Sequence, residues 1–196
     1  EGRLEPIERV SHLLVDSDLE AIAEIVKWVG FVPCKIGAPL PCLPIVDPIE
    51  REITYYPPSG VPFDPRQLLV GDGKGLTGLL DSGSFVETLG DWAKTVITGR
   101  GRLGGMPVGV IVTENRTVER SILADPANLE SKPVKAMQAG QVWFPDSAYK
   151  TAQAIQDFNT GEALPLLVLA NWRGFSGGRK DMFEEVLKFG SFIVDQ

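Results

Sequence analysis

The sequence predicts an α/β protein, and three observations carry that expectation. The second half alternates β-branched apolar runs with amphipathic helical runs. Glycine-rich stretches at 99–105 and 174–178 punctuate that alternation. The first half offers one helical run and then a stretch so dense in proline that it reads as an extended connector.

The elements follow in chain order. Val10 to Val15 reads as a short strand. Asp18 to Gly30 reads as a helix: Leu19, Ile22, Ile25, Val26 and Val29 recur at helical spacing, and Gly30 suits a stop. From Val32 to Pro65 nine prolines break any regular element, with one helical turn expected over Asp64 to Leu69. Gly71 to Gly78 holds four glycines and is a loop. Phe85 to Leu89 reads as helical and Trp92 to Thr98 as strand-like. Met106 to Thr113 is a strand by its Val and Ile content. Val118 to Ala139 is turn-rich, with Asp125-Pro126 inside it. Asp146 to Asn159 is a helix, with Pro145 and Asp146 where a start signal belongs. Leu164 to Ala170 is a buried strand and Asp181 to Phe192 a second helix. This order implies right-handed crossovers.

Bulk properties narrow the function. The chain has 196 residues, 43% hydrophobic and 23% charged, enough for one large domain or parts of two. The formal net charge of −7 argues against nucleic acid or an anionic membrane as partner. No apolar run reaches the ~18 residues of a membrane span. Cys34 and Cys42 lie in the proline-rich stretch without metal-ligand company or a disulfide framework, so they read as free thiols in a reducing compartment. No metal site is expected. Glu1 to Pro6 resembles no targeting segment, and the chain reads as an internal piece of something longer.

Two motifs invite other readings. Gly99 to Gly104 spells G-x-G-x-x-G, but a strand at Met106 follows it, where a dinucleotide fold needs a helix N-terminus. A tight strand-to-strand turn is expected instead. Gly174-Phe175-Ser176-Gly177-Gly178 spells G-x-S-x-G between a strand and a helix, the context of a hydrolase nucleophile. A serine hydrolase is therefore an alternative. Against it, the chain's one histidine, His12, lies far upstream, whereas such hydrolases place it after the serine.

A family resemblance absorbs these pieces. The run Leu166 to Gly190, centred on Asn171-Trp172-Arg173-Gly174-Phe175-Ser176-Gly177-Gly178, resembles the carboxyltransferase component of eukaryotic-type multidomain acetyl-CoA carboxylases. So do Gly140 to Ala148, Gly99 to Gly109, Ala124 to Ala127, and His12-Leu13 with Asp16 to Trp28. The resemblance implies a crotonase-like fold, a superhelix of β-β-α units, here incomplete. It implies that residues 1–46 are the tail of an N-terminal subdomain, 47–82 a connector, and 83–196 the first part of a C-terminal subdomain. Segments that the family uses upstream, and its Glu-Leu-Arg-Gly-Gly stretch downstream, are absent from this sequence, so the isolated chain is expected to be inactive.

The implied reaction moves a carboxyl group from carboxybiotin to acetyl-CoA, giving malonyl-CoA for fatty acid synthesis. Biotin would arrive on a separate carrier domain, a coenzyme A thioester would be the substrate, and the active site would lie at a homodimer interface. The whole enzyme would be an ATP-binding ligase, cytoplasmic or, alternatively, plastidic. By resemblance Arg173 holds the travelling carboxylate; the N–H groups of Gly177 and Gly178, near a helix start, offer a site for an anion or a polarised oxygen, or the glycines only allow the turn. Gly174, Phe175 and Gly178 line the biotin and substrate side, while the coenzyme A contacts stay unassigned. From the residues alone, Arg173 is better read as a surface arginine paired with Asp181 or Glu184. Phe175 could equally cap the core, Arg100 and Arg102 could meet phosphate or sit on a solvated turn, and Trp143 and Trp172 belong to the core. A third possibility is a non-catalytic assembly module that kept the fold.

Overall fold

A computed structural model of the chain describes residues 11–45, 47–48, 50–125 and 127–196. Among these, a four-stranded mixed sheet forms the centre, in the order β1 (Val86–Thr88), β2 (Val96–Leu103), β3 (Met106–Thr113) and, beyond β3, β7 (Leu166–Leu169). Strands β1, β2 and β3 are antiparallel to one another, and β7 lies parallel to β3. That parallel pair is joined by a long crossover carrying helix α3 (Pro145–Gln156). The α/β class expected from the alternation is what forms.

The sheet exists because β2 and β3 can be buried on both faces. On one face Ile97, Val108, Val110 and Val112 meet Leu80 and Leu69, the latter from the short helix α2 (Arg66–Val70). On the other, Val96 and Ile111 meet Ala154, Phe158 and Leu164. Each fully buried large side chain contributes roughly 1.5–3 kcal/mol. Gly104 and Gly105 join β2 to β3 in a two-residue hairpin, and both take positive φ, 60° and 80°, as such a turn demands. Asp81 fastens the turn by accepting both N–H groups, at 2.8 and 2.6 Å.

Helix α3 begins with Pro145 at its first position, and Ser147 Oγ accepts the Phe144 N–H at 2.9 Å. Small residues Ala148, Ala152 and Ala154 let it lie close to its neighbours. Its C-terminal end widens into a π-helical turn, Asp157–Glu162, which turns Phe158 and Glu162 inward. Lys150, on the same helix, is 1% exposed and donates to the carbonyls of Leu89 and Trp92 at 2.8 and 2.9 Å. Burial pushes its pKa down to about 7.

Several expectations change. Phe85 to Leu89 is not helical; it contains β1, because edge pairing with β2 decides the state of so short a run. Trp92 to Thr98 becomes strand only from Val96, after Ala93 takes a left-handed conformation at φ 49°. The turn-rich stretch 118–139 contains a two-stranded antiparallel ribbon, β4 (Val118–Ile122) with β5 (Val134–Gln138). Strand β7 is not buried: it is an edge, with Leu166 and Val168 37% and 44% exposed. The last helix is two, α4 (Arg179–Phe183) and α5 (Val186–Asp195), broken where Glu185 adopts φ 63°. Residues 11–15 form no strand, and Val10 lies outside the described residues, as does Pro126.

The first helix, α1 (Asp18–Val29), forms as read, capped by Ser17 Oγ accepting the Glu20 N–H. None of its residues is buried, and Leu19, Ile22, Ile25, Val26 and Val29 face outward at 54–78% exposure. Arg102 anchors the segment that follows. It is 8% exposed and donates to the carbonyls of Gly30, Pro41 and Gly105 at 2.6–2.8 Å. Arg100 is likewise buried, paired through two hydrogen bonds to Glu162 from the π-helical turn. Neither arginine sits on a solvated turn, because the glycines of 99–101 are strand residues and only Gly104 and Gly105 make the turn.

Candidate functional site

The segment from Asn171 to Asp181 leaves the C-terminal end of β7, crosses a short strand β8 (Gly174–Phe175), and enters α4. Strand β8 pairs in parallel with β6 (Val142–Trp143), which immediately precedes α3. Two backbone bonds fix it there. The Arg173 N–H donates to Gln141 O at 2.7 Å and the Ser176 N–H to Trp143 O at 2.8 Å. Gly174 has φ 139°, a conformation that only glycine adopts without strain.

Aromatic rings hold the loop from beneath. Trp143 stacks on Trp172 at 4.3 Å and on Phe175 at 4.9 Å, so the three rings form one pile. Trp143 Nε1 donates to Thr151 Oγ1 of α3 at 3.1 Å. Phe175 also lies over Gly190 of α5, where any side chain would collide with the ring. Trp143 and Trp172 pack against the core, as read. Phe175 touches Trp143 and Gly190 and keeps 38% of its surface exposed.

The residues singled out in sequence come together on this loop. Arg173, Gly177 and Gly178 are exposed, and Gly174 is half-buried. The pairing of Arg173 with Asp181 or Glu184 is absent: Asp181 takes the hydroxyl of Ser176, and Glu184 lies 3.6 Å from Lys180. Among the described residues the Arg173 guanidinium has no ion-pair or hydrogen-bond partner. A free, planar, two-pronged cation beside a glycine-rich turn is suited to holding a carboxylate. Gly177 has open space around it, since an added Cβ would meet nothing within 4 Å.

The geometry does not favour the hydrolase alternative. The Ser176 hydroxyl donates to the Asp181 carboxylate and accepts from the Gly178 N–H, and no histidine stands beside it to complete a triad. His12 stands elsewhere, against α3 and the π-helical turn, with Gln153 at 3.4 Å and Asp157 at 4.0 Å. Sequence reasoning missed the Ser176–Asp181 contact and the backbone anchor on Gln141. A hydroxyl five residues ahead of an aspartate at a helix start was the available signal for the first; nothing local marked the second.

Two clefts lie outside this loop. One of about 420 Å³ is lined by Trp92, Tyr149, Phe183 and Phe189 with Arg120 and Asp146. Another, of about 560 Å³, lies under α1. Neither is lined by Arg173 or Gly177. Among the described residues no group of His, Cys, Asp and Glu is placed to hold a metal, and no helix is long and apolar enough to cross a membrane.

Comparison with known proteins gives these observations a frame. The model of the carboxyl transferase domain matches residues 7–196. The chain is 54% identical over 189 residues to a Schizosaccharomyces pombe protein named acetyl-CoA carboxylase. It is 52% identical over 190 residues to a Saccharomyces cerevisiae protein named acetyl-CoA carboxylase, mitochondrial. In both cases 95% of this chain is covered, and it spans about 8% of the relative's length.

Proposed function

We propose, from the premise that this chain belongs to the carboxyl transferase domain family, that it forms part of the carboxyltransferase site of an acetyl-CoA carboxylase. The reaction is transfer of a carboxyl group from carboxybiotin to the methyl carbon of acetyl-CoA, giving malonyl-CoA for fatty acid synthesis. The observation that carries the reading is Arg173: exposed, without a partner among the described residues, and on a backbone locked at Gln141 and Trp143.

Carboxybiotin supplies the activated carboxyl group. The residues present fit such a visitor: Phe175 offers part of a ring face, and the space around Gly177 is open. Arg173 holds the carboxylate by paired, charge-assisted hydrogen bonds. The Gly177 N–H donates to an oxygen on which negative charge develops. Gly174 and Gly178 let the backbone approach closely. No step asks for a nucleophilic side chain, which accords with a Ser176 hydroxyl engaged within its own loop.

Such chemistry needs water kept out. Arg173, Gly177 and Gly178 are exposed, so a second surface has to close over them. The reading assigns that surface to a partner subunit of a homodimer, which would bring the coenzyme A thioester, while a separate carrier domain brings biotin. On the same reading residues 1–46 end an N-terminal subdomain, 47–82 connect, and 83–196 begin a C-terminal subdomain of crotonase-like fold. ATP use and ligase activity belong to other parts of the longer polypeptide, and the compartment is cytoplasm or plastid.

The test compares the isolated 196-residue chain with the full-length polypeptide in carboxyl transfer from malonyl-CoA to a free biotin derivative. The expected result is turnover by the full-length protein and none by the isolated chain. Robust turnover by the isolated chain would overturn the shared-site arrangement. Absence of turnover in the full-length protein would overturn the reading itself.

A further inference from the structure

The loop 173–178 is fastened by backbone bonds at Arg173 and Ser176, but these leave Gly177 and Gly178 unsupported. What holds them is a side-chain contact. The Ser176 hydroxyl donates to the Asp181 carboxylate, while its oxygen accepts the Gly178 N–H at 3.3 Å. Gly178 sits inside this brace: a Cβ there would lie 2.8 Å from Asp181 Oδ2. The Gly178 carbonyl then accepts the Met182 N–H at 3.0 Å, so the brace runs directly into α4. Gly177, between the two braced residues, is exposed, and among the described residues nothing accepts from its N–H. The brace thus takes the Gly178 N–H out of use and leaves the Gly177 N–H free among the described residues.

We infer that Ser176 and Asp181 are positioning residues of the transfer site, acting as one unit that sets the Arg173–Gly178 loop and presents the Gly177 N–H. This rests on the carboxyltransferase reading above. The two residues touch neither the carboxyl group nor the thioester; they act through the backbone. Their chemistry explains why serine stands here without a histidine. A hydroxyl both donates and accepts, so it can bridge a carboxylate and an amide at once.

The experiment is carboxyl transfer by the full-length protein with Ser176→Ala, Asp181→Ala and the double variant. Ser176→Thr, Asp181→Asn and Arg173→Ala are measured in parallel. Each alanine variant should lower kcat by about 5-fold or somewhat more with the KM for malonyl-CoA unchanged, since the lost brace acts through the backbone and not on the reacting atoms. The double variant should be no worse than the poorer single, since both remove the same brace. Threonine keeps the hydroxyl and asparagine keeps an acceptor oxygen, so both should recover most of the rate. In the 196-residue chain, Asp181→Asn should retain and Ser176→Ala should lose amide-exchange protection at Gly178, a readout that does not depend on activity. Additive losses, or unchanged kcat in both alanine variants while Arg173→Ala is inactive, would overturn the brace and leave the carboxyltransferase reading standing. Full activity of Arg173→Ala would overturn that reading instead. A loss of ~10³-fold in Ser176→Ala alone would make the serine a nucleophile and overturn the positioning role.

Discussion

The stretches 99–105 and 173–178 look alike in sequence: both are rich in glycine, carry arginine and match a familiar functional motif. Their arginines are used in opposite ways. Arg100 pairs with Glu162, and Arg102 donates to three backbone carbonyls, both nearly out of contact with water. Arg173 is exposed, with no partner among the described residues. The glycines differ too: those at 99 and 101 are strand residues pressed against neighbours, whereas Gly177 has open space around it. An arginine whose hydrogen bonds are spent inside the protein is part of the scaffold. One whose donors are held out on a braced backbone is free to bind. The motif does not distinguish them; the occupancy of the donors does.

The largest effect that can break this comparison is on stability. Arg100→Ala would leave Glu162 as a buried charge without its partner, which typically costs about 3–5 kcal/mol. Chemical denaturation of the 196-residue chain should show a loss of that order. A change below ~1 kcal/mol would place Arg100 with the surface ion pairs and dissolve the distinction.

Lys150 extends the first group, since it too is a buried cation bound to backbone carbonyls. Its folded pKa of about 7 lies below the 10.5 of a free lysine. Between those values the unfolded chain therefore binds more protons than the folded one, and stability should rise with pH across that window. Below pH 7 this contribution should be flat. The slope should approach ~1.4 kcal/mol per pH unit in the wild type relative to Lys150→Met. Parallel pH profiles of the two proteins would mean that the ammonium is as easily protonated in the fold as in water.

A smaller effect concerns the hairpin. Gly104→Ala meets no neighbour but must take φ near +60°, so a loss of ~1 kcal/mol is expected from backbone strain alone. Thermal melts measure it. A stabilised variant would show that the turn can change type without cost.

These outcomes bear on how much the sequence discloses. Helices α1 and α3, strand β3 and the 174–178 turn were legible because their periodicity or turn chemistry is local. Strand β1 lies in a run that reads as helix, because so few residues carry no clear period and pairing to β2 decides the matter. The burial of Arg100 was not legible because its partner lies 62 residues away on a π-helical turn that no pattern announces. The break before Val186 was hidden as well: Glu185 takes a left-handed conformation within a run whose apolar spacing reads as continuous helix. For the candidate site, residue identities came from a resemblance. The third ring of the stack, Trp143, comes from a strand 30 residues before Arg173, and only the fold brings it there.

The central claim is that Arg173 is a binding cation and not a surface one. Its direct test is steady-state carboxyl transfer by the full-length protein carrying Arg173→Ala or Arg173→Lys, with thermal melts alongside. Two charge-assisted hydrogen bonds contribute about 1.5–3 kcal/mol each, so alanine should lower turnover by on the order of 10²–10⁴-fold while the melting temperature stays put. Lysine keeps the charge without the planar fork and should recover part of the rate. Near-normal turnover in Arg173→Ala would contradict the account and leave Arg173 an ordinary surface residue.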